Sequence, residues 1–462
     1  MNPRPLRQLA GWLGQKLADG EFRVDRVVTD SRQVRPGDLF VALRGERFDG
    51  HQFVVAARQK GAVGAVVTAP AHGLDGWPQL VVPDTVAAFQ RLAAAHRASL
   101  PLVTVSVTGS NGKTSTKEMI AAVLGARFRV AKTSGNFNNH LGVPHTLLSF
   151  TESDEFGVVE MGMNHAGELA PLALMTGAQA AVITNIGMAH IGHFASIEAI
   201  AAEKATVAEA VSPGGVVVLN ANARFTPFVA GRCRARVVTA GLGRGDLRAE
   251  DVHVTADGAR FTAVVDDGVG VDVALPVTGE HMVANATLAL AVGCHFGVTL
   301  DEAGQALRNL KLPDGRLRVQ QLGRVLIVND AYNANPDSVA AALHAVAVGH
   351  GNRRKVAVLG RMAELGDHAL EGHRRVGRCA AAEGFDCVVT VGEEAAEIGA
   401  AATAAGLPLA CRTGSHEEAV QLLCDLLQDG DVLLVKGSAS AQMNRVIQGL
   451  EALQKEGKWT GP

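Results

Sequence analysis

The feature that most constrains this chain is a strand, a glycine loop and a helix in immediate succession. Val103-Thr104-Val105-Ser106-Val107 runs into Thr108-Gly109-Ser110-Asn111-Gly112-Lys113-Thr114-Ser115, and a helical pattern follows from Lys117 to Leu124. Glycines let backbone N–H groups crowd an anion, and the helix N-terminus adds a favourable dipole. Lys113 neutralises phosphate, and Thr114 offers a hydroxyl to Mg²⁺. Gly109, Ser110, Asn111, Gly112, Lys113, Thr114 and Ser115 are therefore expected to hold the phosphates of ATP. Val107 occupies the place of the first glycine in the common G-x-x-x-x-G-K-[ST] pattern. Such a loop leaves kinase, GTPase, ATPase and ligase open. Glu160, closing the apolar run Val158-Val159-Glu160, is a candidate carboxylate for a magnesium ion beside the loop.

The rest of the chain reads as α/β. At roughly 150 residues per domain, 462 residues make about three domains. Apolar runs near Val24–Thr29, Leu39–Leu43, Ala62–Thr68 and Leu80–Val82 alternate with helical patterns at 50–60 and 84–98. Ser99-Leu100-Pro101 closes that block. A second block holds the phosphate loop, then hairpins over 252–278 with Asp257-Gly258 and Asp267-Gly268 as turns, then helices at 281–296 and 301–310. After Pro313-Asp314-Gly315, strands at Arg324–Val328, Val356–Leu359, Cys387–Val391 and Val432–Val435 alternate with five helical stretches. That alternation predicts a doubly wound, mostly parallel sheet. The expected domains are 1–100, 101–317 and 318–462.

Composition narrows the function classes. Net charge is −3 and aromatics are 4% of residues, which argues against nucleic acid as the partner. No run approaches the 18 or so apolar residues of a membrane span, and Met1 to Gly20 lacks a signal peptide's apolar stretch. The six cysteines include no C-x-x-C pair and are expected to be reduced, in a cytoplasmic monomer.

Several longer motifs resemble the Mur ligase family, which builds the peptide of bacterial cell wall precursors. They are the shortened loop Thr108–Thr114, Thr133-Ser134-Gly135-Asn136-Phe137-Asn138-Asn139 with Gly142-Val143-Pro144, Glu160-Met161-Gly162-Met163-Asn164-His165, and Asn185-Ile186-Gly187-Met188-Ala189-His190. Three further segments are similar to the branch that adds D-alanyl-D-alanine. These are Asp30-Ser31-Arg32 with Pro36-Gly37-Asp38-Leu39-Phe40, Gly45-Glu46-Arg47-Phe48-Asp49-Gly50-His51, and Ala331-Tyr332-Asn333-Ala334-Asn335-Pro336-Asp337-Ser338.

The resemblance implies a small α/β N-terminal domain for a UDP-linked substrate and a central P-loop ATPase domain with a β-hairpin extension. It implies a Rossmann-like, doubly wound C-terminal domain as the third. It implies that ATP phosphorylates the terminal carboxylate of a UDP-N-acetylmuramoyl-tripeptide and that the amine of D-alanyl-D-alanine attacks the acyl phosphate. Catalysis falls to Lys113, Glu160, His190, Lys204 and Arg316. Thr114, Glu160, His190 and Lys204 as a carbamate would hold Mg²⁺, two ions in all. Asn285 would contact adenine, Arg316 the γ-phosphate and Asp330 the nucleotide. Ser31 and Arg32 would meet the uridine diphosphate, and Asn138, Asn139 and Asn333 the other substrate groups. Asn329, Arg361 and Ala439 depart from the family pattern.

Two rivals have weaker support. His190-Ile191-Gly192-His193 spells the HIGH signature of class I aminoacyl-tRNA synthetases, but it lies about 80 residues beyond a Gly-Lys-Thr loop that those enzymes lack. A P-loop switch that transfers no acyl group would leave the asparagine-rich motifs and Asp30-Ser31-Arg32 idle.

Overall fold

The computed structural model describes residues 1–17, 22–45, 48–265, 268, 270–459 and 461. Three sheets carry the architecture. The first has four parallel strands, in the order Arg26–Val28, Asp38–Val41, Gly64–Val67 and Gln79–Val81. Its two inner strands are buried along their whole length, as a sheet covered on both faces requires. The helix Thr85–Ala98 leaves this sheet with Asp84 as its N-cap, accepting from Val86 N and Ala87 N at 2.7 and 3.2 Å. It then packs on the helix Gly142–Ser149, where Phe89 meets His145 edge-on at 4.9 Å between ring centres.

The central sheet has nine strands. Val103–Thr108 lies inside it, between Ala180–Ile183 and Phe156–Glu160, with parallel pairing on both sides. The far edge is an antiparallel ribbon of Leu247–Thr255, Gly258–Val265 and Gly270–Leu275, the hairpins expected from the turn signals. Asp267 of the second turn lies outside the described residues, as do Glu46 and Arg47 of the N-terminal motif.

The third sheet has six strands ordered Arg318–Leu322, Val325–Asp330, Val432–Lys436, Lys355–Gly360, Cys387–Val391 and Leu409–Thr413. All pairs are parallel except the first. Both edge strands escape a search for apolar runs, Arg318–Leu322 because it is mostly polar and Leu409–Thr413 because only Leu409-Ala410-Cys411 precede Arg412. One apolar core of buried residues continues through the molecule, from Leu6 and Phe89 through Val107 and Phe150 to Leu343 and Leu359. The six cysteines are free thiols, and among the described residues no helix is long and apolar enough to cross a membrane.

Candidate active site

The carboxyl end of Val103–Thr108 opens onto a cavity of about 500 Å³ between the central and C-terminal sheets. The chain turns there into the helix Lys113–Leu124, whose N-cap is Gly112 at φ 77°. A Cβ on Gly112 would stand 2.6 Å from Asn285 Oδ1, so glycine both permits the turn and lets Asn285 lie over the loop. The loop is braced from within its own sheet. Ser110 Oγ donates to Gly187 O at 3.1 Å and accepts from Gly187 N at 2.8 Å, while Asn111 N donates to Asn185 Oδ1 at 2.9 Å. Lys113 Nζ folds onto Gly109 O (2.8 Å) and Ser110 O (3.4 Å). Burial lowers its pKa, the Glu160 charge opposes that shift, and Arg316 adds to it.

Glu160 is buried at the end of its strand, and Asn138 Nδ2 donates to its Oε1 at 2.8 Å. Its Oε2 is buried without a hydrogen-bond partner, 3.8 Å from the ammonium of the fully buried Lys117. Lys117 itself donates to Thr133 O at 2.9 Å and pairs with Glu118 at 3.0 Å. An unpartnered carboxylate oxygen beside a phosphate loop suits a hard cation. His190 follows the strand Ala180–Ile183, and its Nδ1 contacts Glu364. Burial lowers its pKa against the opposing pull of Glu364, which favours a neutral ring with a free lone pair.

Lys204, on the helix Ile197–Glu209, does not line the cavity but is fully buried behind it. Its pKa lies well below the ordinary lysine value, chiefly through burial and then through the charge of Lys113. Burial of this kind disfavours the ammonium form relative to the neutral, nucleophilic amine. Among the described residues, no three His, Cys, Asp or Glu side chains form a metal cluster by themselves. Oxygen from Thr114, from phosphate and from a modified Lys204 would be needed beside Glu160, and the unpartnered Glu160 oxygen fits that arrangement.

The facing wall comes from the C-terminal sheet and the turn at 314–317 that leads into it. Arg316 Nη2 donates to Thr114 Oγ1 at 3.1 Å, and its guanidinium lies 4.1 Å from the ring centre of Tyr332, the only tyrosine of the chain. Asp330 pairs with the buried Lys436, whose Nζ also donates to Asn333 O at 2.9 Å. Asn335, N-cap of the helix Pro336–Gly349, exchanges amide hydrogen bonds with Asn111 at 2.7 and 3.4 Å. Asp337 accepts from Met188 N at 3.0 Å and pairs with Arg375 at 2.9 Å.

The cavity thus brings together Ser110–Ser115, Asn138, Asn139, Glu160, His190, Asn285, Arg316, Asp330 and Asn333. Asn139 caps its own turn, its Oδ1 accepting from Leu141 N and Gly142 N at 3.1 and 2.9 Å. Ser31 and Arg32 do not line this cavity. They sit on a turn of the first sheet, with Arg32 exposed and paired to Asp30 at 2.8 Å. Sequence reading assigned no role to Asn335, Asp337, Tyr332 or Lys117. Asn335 with Ser338 three residues later carries capping-box spacing, a signal that marks the helix start facing the loop.

Comparison with known proteins agrees with this architecture. Residues 23–106 match the Mur ligase family catalytic domain, 107–293 the Mur ligase middle domain, and 315–439 the Mur ligase glutamate ligase domain. The chain is 39% identical over 451 residues to UDP-N-acetylmuramoyl-tripeptide–D-alanyl-D-alanine ligase of Escherichia coli K12, covering 96% of this chain and 98% of that protein. It is 33% identical to MurF from Acinetobacter baumannii, whose crystal structure superposes with a TM-score of 0.89 over 97% of this chain and 99% of that one. The MurF ligase of Thermotoga maritima in complex with ADP has a TM-score of 0.84 at 28% identity, covering 93% and 98%. The chain belongs to the Mur ligase family.

Proposed function

We propose that this chain is an ATP-dependent amide ligase that joins D-alanyl-D-alanine to UDP-N-acetylmuramoyl-tripeptide in peptidoglycan precursor synthesis, in the cytoplasm. The observation that carries the reading is one cavity with two kinds of wall. A phosphate loop beside a carboxylate with one oxygen free of hydrogen bonds forms one side, and the C-terminal sheet with the turn leading into it, carrying Asp330, Tyr332 and Arg316, forms the other. Near full-length similarity to relatives bearing that activity supports it.

A carboxylate is a poor electrophile until its oxygen becomes part of a leaving group. In this reading its oxygen attacks the γ-phosphorus, ADP departs, and the amine then displaces phosphate from the acyl carbon. Gly109 to Ser115 cradle the phosphates, Asn285 lies against the nucleotide, and Asp330 engages it from the opposite wall. Lys113 and Arg316 meet the charge that develops on the transferred group. Thr114, Glu160, His190 and carbamylated Lys204 are the residues that would hold Mg²⁺, two ions in all; when bound, that cation offsets repulsion between carboxylate and phosphates. Burial of Lys204 favours its neutral amine over the ammonium, and a neutral amine can add CO₂ and lose a proton, giving an anion. Asn138, Asn139 and Asn333 position the peptide and amine, while Ser31 and Arg32 hold the uridine diphosphate on the first sheet. The domains assigned to these tasks are 1–100, 101–317 and 318–462.

Phosphate release tests this reading. It is expected only when ATP, UDP-N-acetylmuramoyl-tripeptide and D-alanyl-D-alanine are present together. Turnover indifferent to the peptide and the amine would point to an ATPase switch instead.

A further inference from the structure

Where the central and C-terminal sheets meet, two loops dock backbone to backbone. The first is 186–193, after the strand Ala180–Ile183; the second is 361–366, after Lys355–Gly360. Gly192 N donates to Glu364 O at 2.9 Å. A Cβ on Gly192 would stand 2.5 Å from Gly366 N, so the chains approach closer than any side chain allows. At the centre of this contact His190 and Glu364 both hold left-handed backbone conformations, at φ 65° and 63°. Neither is glycine, and such residues concentrate where side-chain direction is imposed. Their side chains meet, His190 Nδ1 against Glu364 Oε2.

A simple ion pair does not account for this. Glu364 is 41% exposed, and half-exposed pairs contribute little to stability. The geometry has a different consequence. A carboxylate on Nδ1 fixes the Nδ1–H tautomer and leaves Nε2 as the free lone pair, on a ring that lines the cavity with Glu160 and Thr114. We propose that Glu364 is a positioning residue for His190, so that the cation site of the central domain is completed by a carboxylate from the C-terminal domain. Docking of that domain and readiness of the cation site are then one event. This rests on the reading of Glu160, His190 and Lys204 as the cation site.

The test uses the full chain with ADP and Mn²⁺, followed by electron paramagnetic resonance, beside ring-nitrogen spectra of ¹⁵N-histidine-labelled protein. Glu364→Ala is expected to weaken Mn²⁺ about 10- to 100-fold. It should raise the Mg²⁺ requirement of ligation in the same proportion, with kcat at saturating Mg²⁺ much less affected. The His190 signal should shift from the Nδ1–H tautomer toward Nε2–H. Glu364→Gln, whose amide oxygen still accepts from Nδ1–H, should keep most of the affinity and the tautomer, and it carries the test if the alanine variant does not fold. Unchanged Mn²⁺ affinity in Glu364→Ala, or equal loss in both variants, overturns the proposal. Absence of Mn²⁺ binding in the unsubstituted protein would instead overturn the cation-site reading beneath it.

Discussion

On the phosphate-loop side of the cavity, the bracing contacts join residues of one sheet: Ser110 to Gly187 and Asn111 to Asn185, 77 and 74 positions apart. On the facing side they come from the C-terminal sheet and from the turn that leads into it. Asn335 reaches Asn111 across 224 positions, Arg316 reaches Thr114 across 202, and Glu364 reaches His190 across 174. The first wall keeps its shape through the fold of its own domain. Most of the second forms where the C-terminal sheet meets the central one, and the polar contacts across that seam are partly exposed above a continuous apolar core. Contacts of that kind are cheap to break, so nucleotide recognition and amine transfer should respond differently to substitution.

The largest separation is expected from Lys113→Ala. Removing one preorganised electrostatic contact at a reacting group costs about 10²–10³ in rate. Binding of the UDP-linked substrate should survive, because Ser31 and Arg32 lie on another sheet outside the cavity. Titration calorimetry with that substrate, beside a ligation assay, checks both halves. Lys204→Ala comes next. It should be nearly inactive and regain part of its rate with added acetate or formate, which restore carboxylate oxygens in the vacated space. Ammonium and alkylamines should do little, since in this reading Lys204 acts as a carbamate and burial disfavours its charged amine.

Asn335→Ala weakens the docked wall in two ways. It removes the N-cap of Pro336–Gly349, worth about 0.5–2 kcal/mol, and the amide pair with Asn111. A lower melting temperature is expected, with a rise in KM for D-alanyl-D-alanine larger than any change in nucleotide binding by the loop. The smallest effect on the cavity belongs to Arg32→Ala. Its exposed pair with Asp30 should leave the melting temperature unchanged, while KM for the UDP-linked substrate rises about tenfold through loss of a charge-assisted contact. A fall in kcat for this variant would mean that the first sheet reaches the reacting centre.

The same contrast explains what could be read in the sequence. The phosphate loop and the strand-end Glu160 are local patterns whose residue types dictate their chemistry, and Ser110–Ser115 and Glu160 stand on the cavity wall. Buried parallel strands such as Lys355–Gly360 and Cys387–Val391 announce themselves as apolar runs. Leu409–Thr413 does not, because only its first three residues are apolar, none of them fully buried at the sheet edge. Glu364 and Asp337 were illegible for a related reason. Each is an ordinary surface carboxylate until the fold brings a partner from some 150 or more positions away. Lys204 was found only through resemblance; as one charge on a helix it is featureless, and its total burial is what makes it unusual.

The fate of a single oxygen atom tests most directly whether the phosphate-loop wall activates a carboxylate that the facing wall then presents to an amine. With ¹⁸O in both oxygens of the tripeptide's reacting carboxylate, one label should leave with the released phosphate at every turnover, and one should stay in the new amide. Mass spectrometry of the phosphate reads this out. Phosphate free of label, with ligation proceeding normally, would contradict an acyl phosphate at this site.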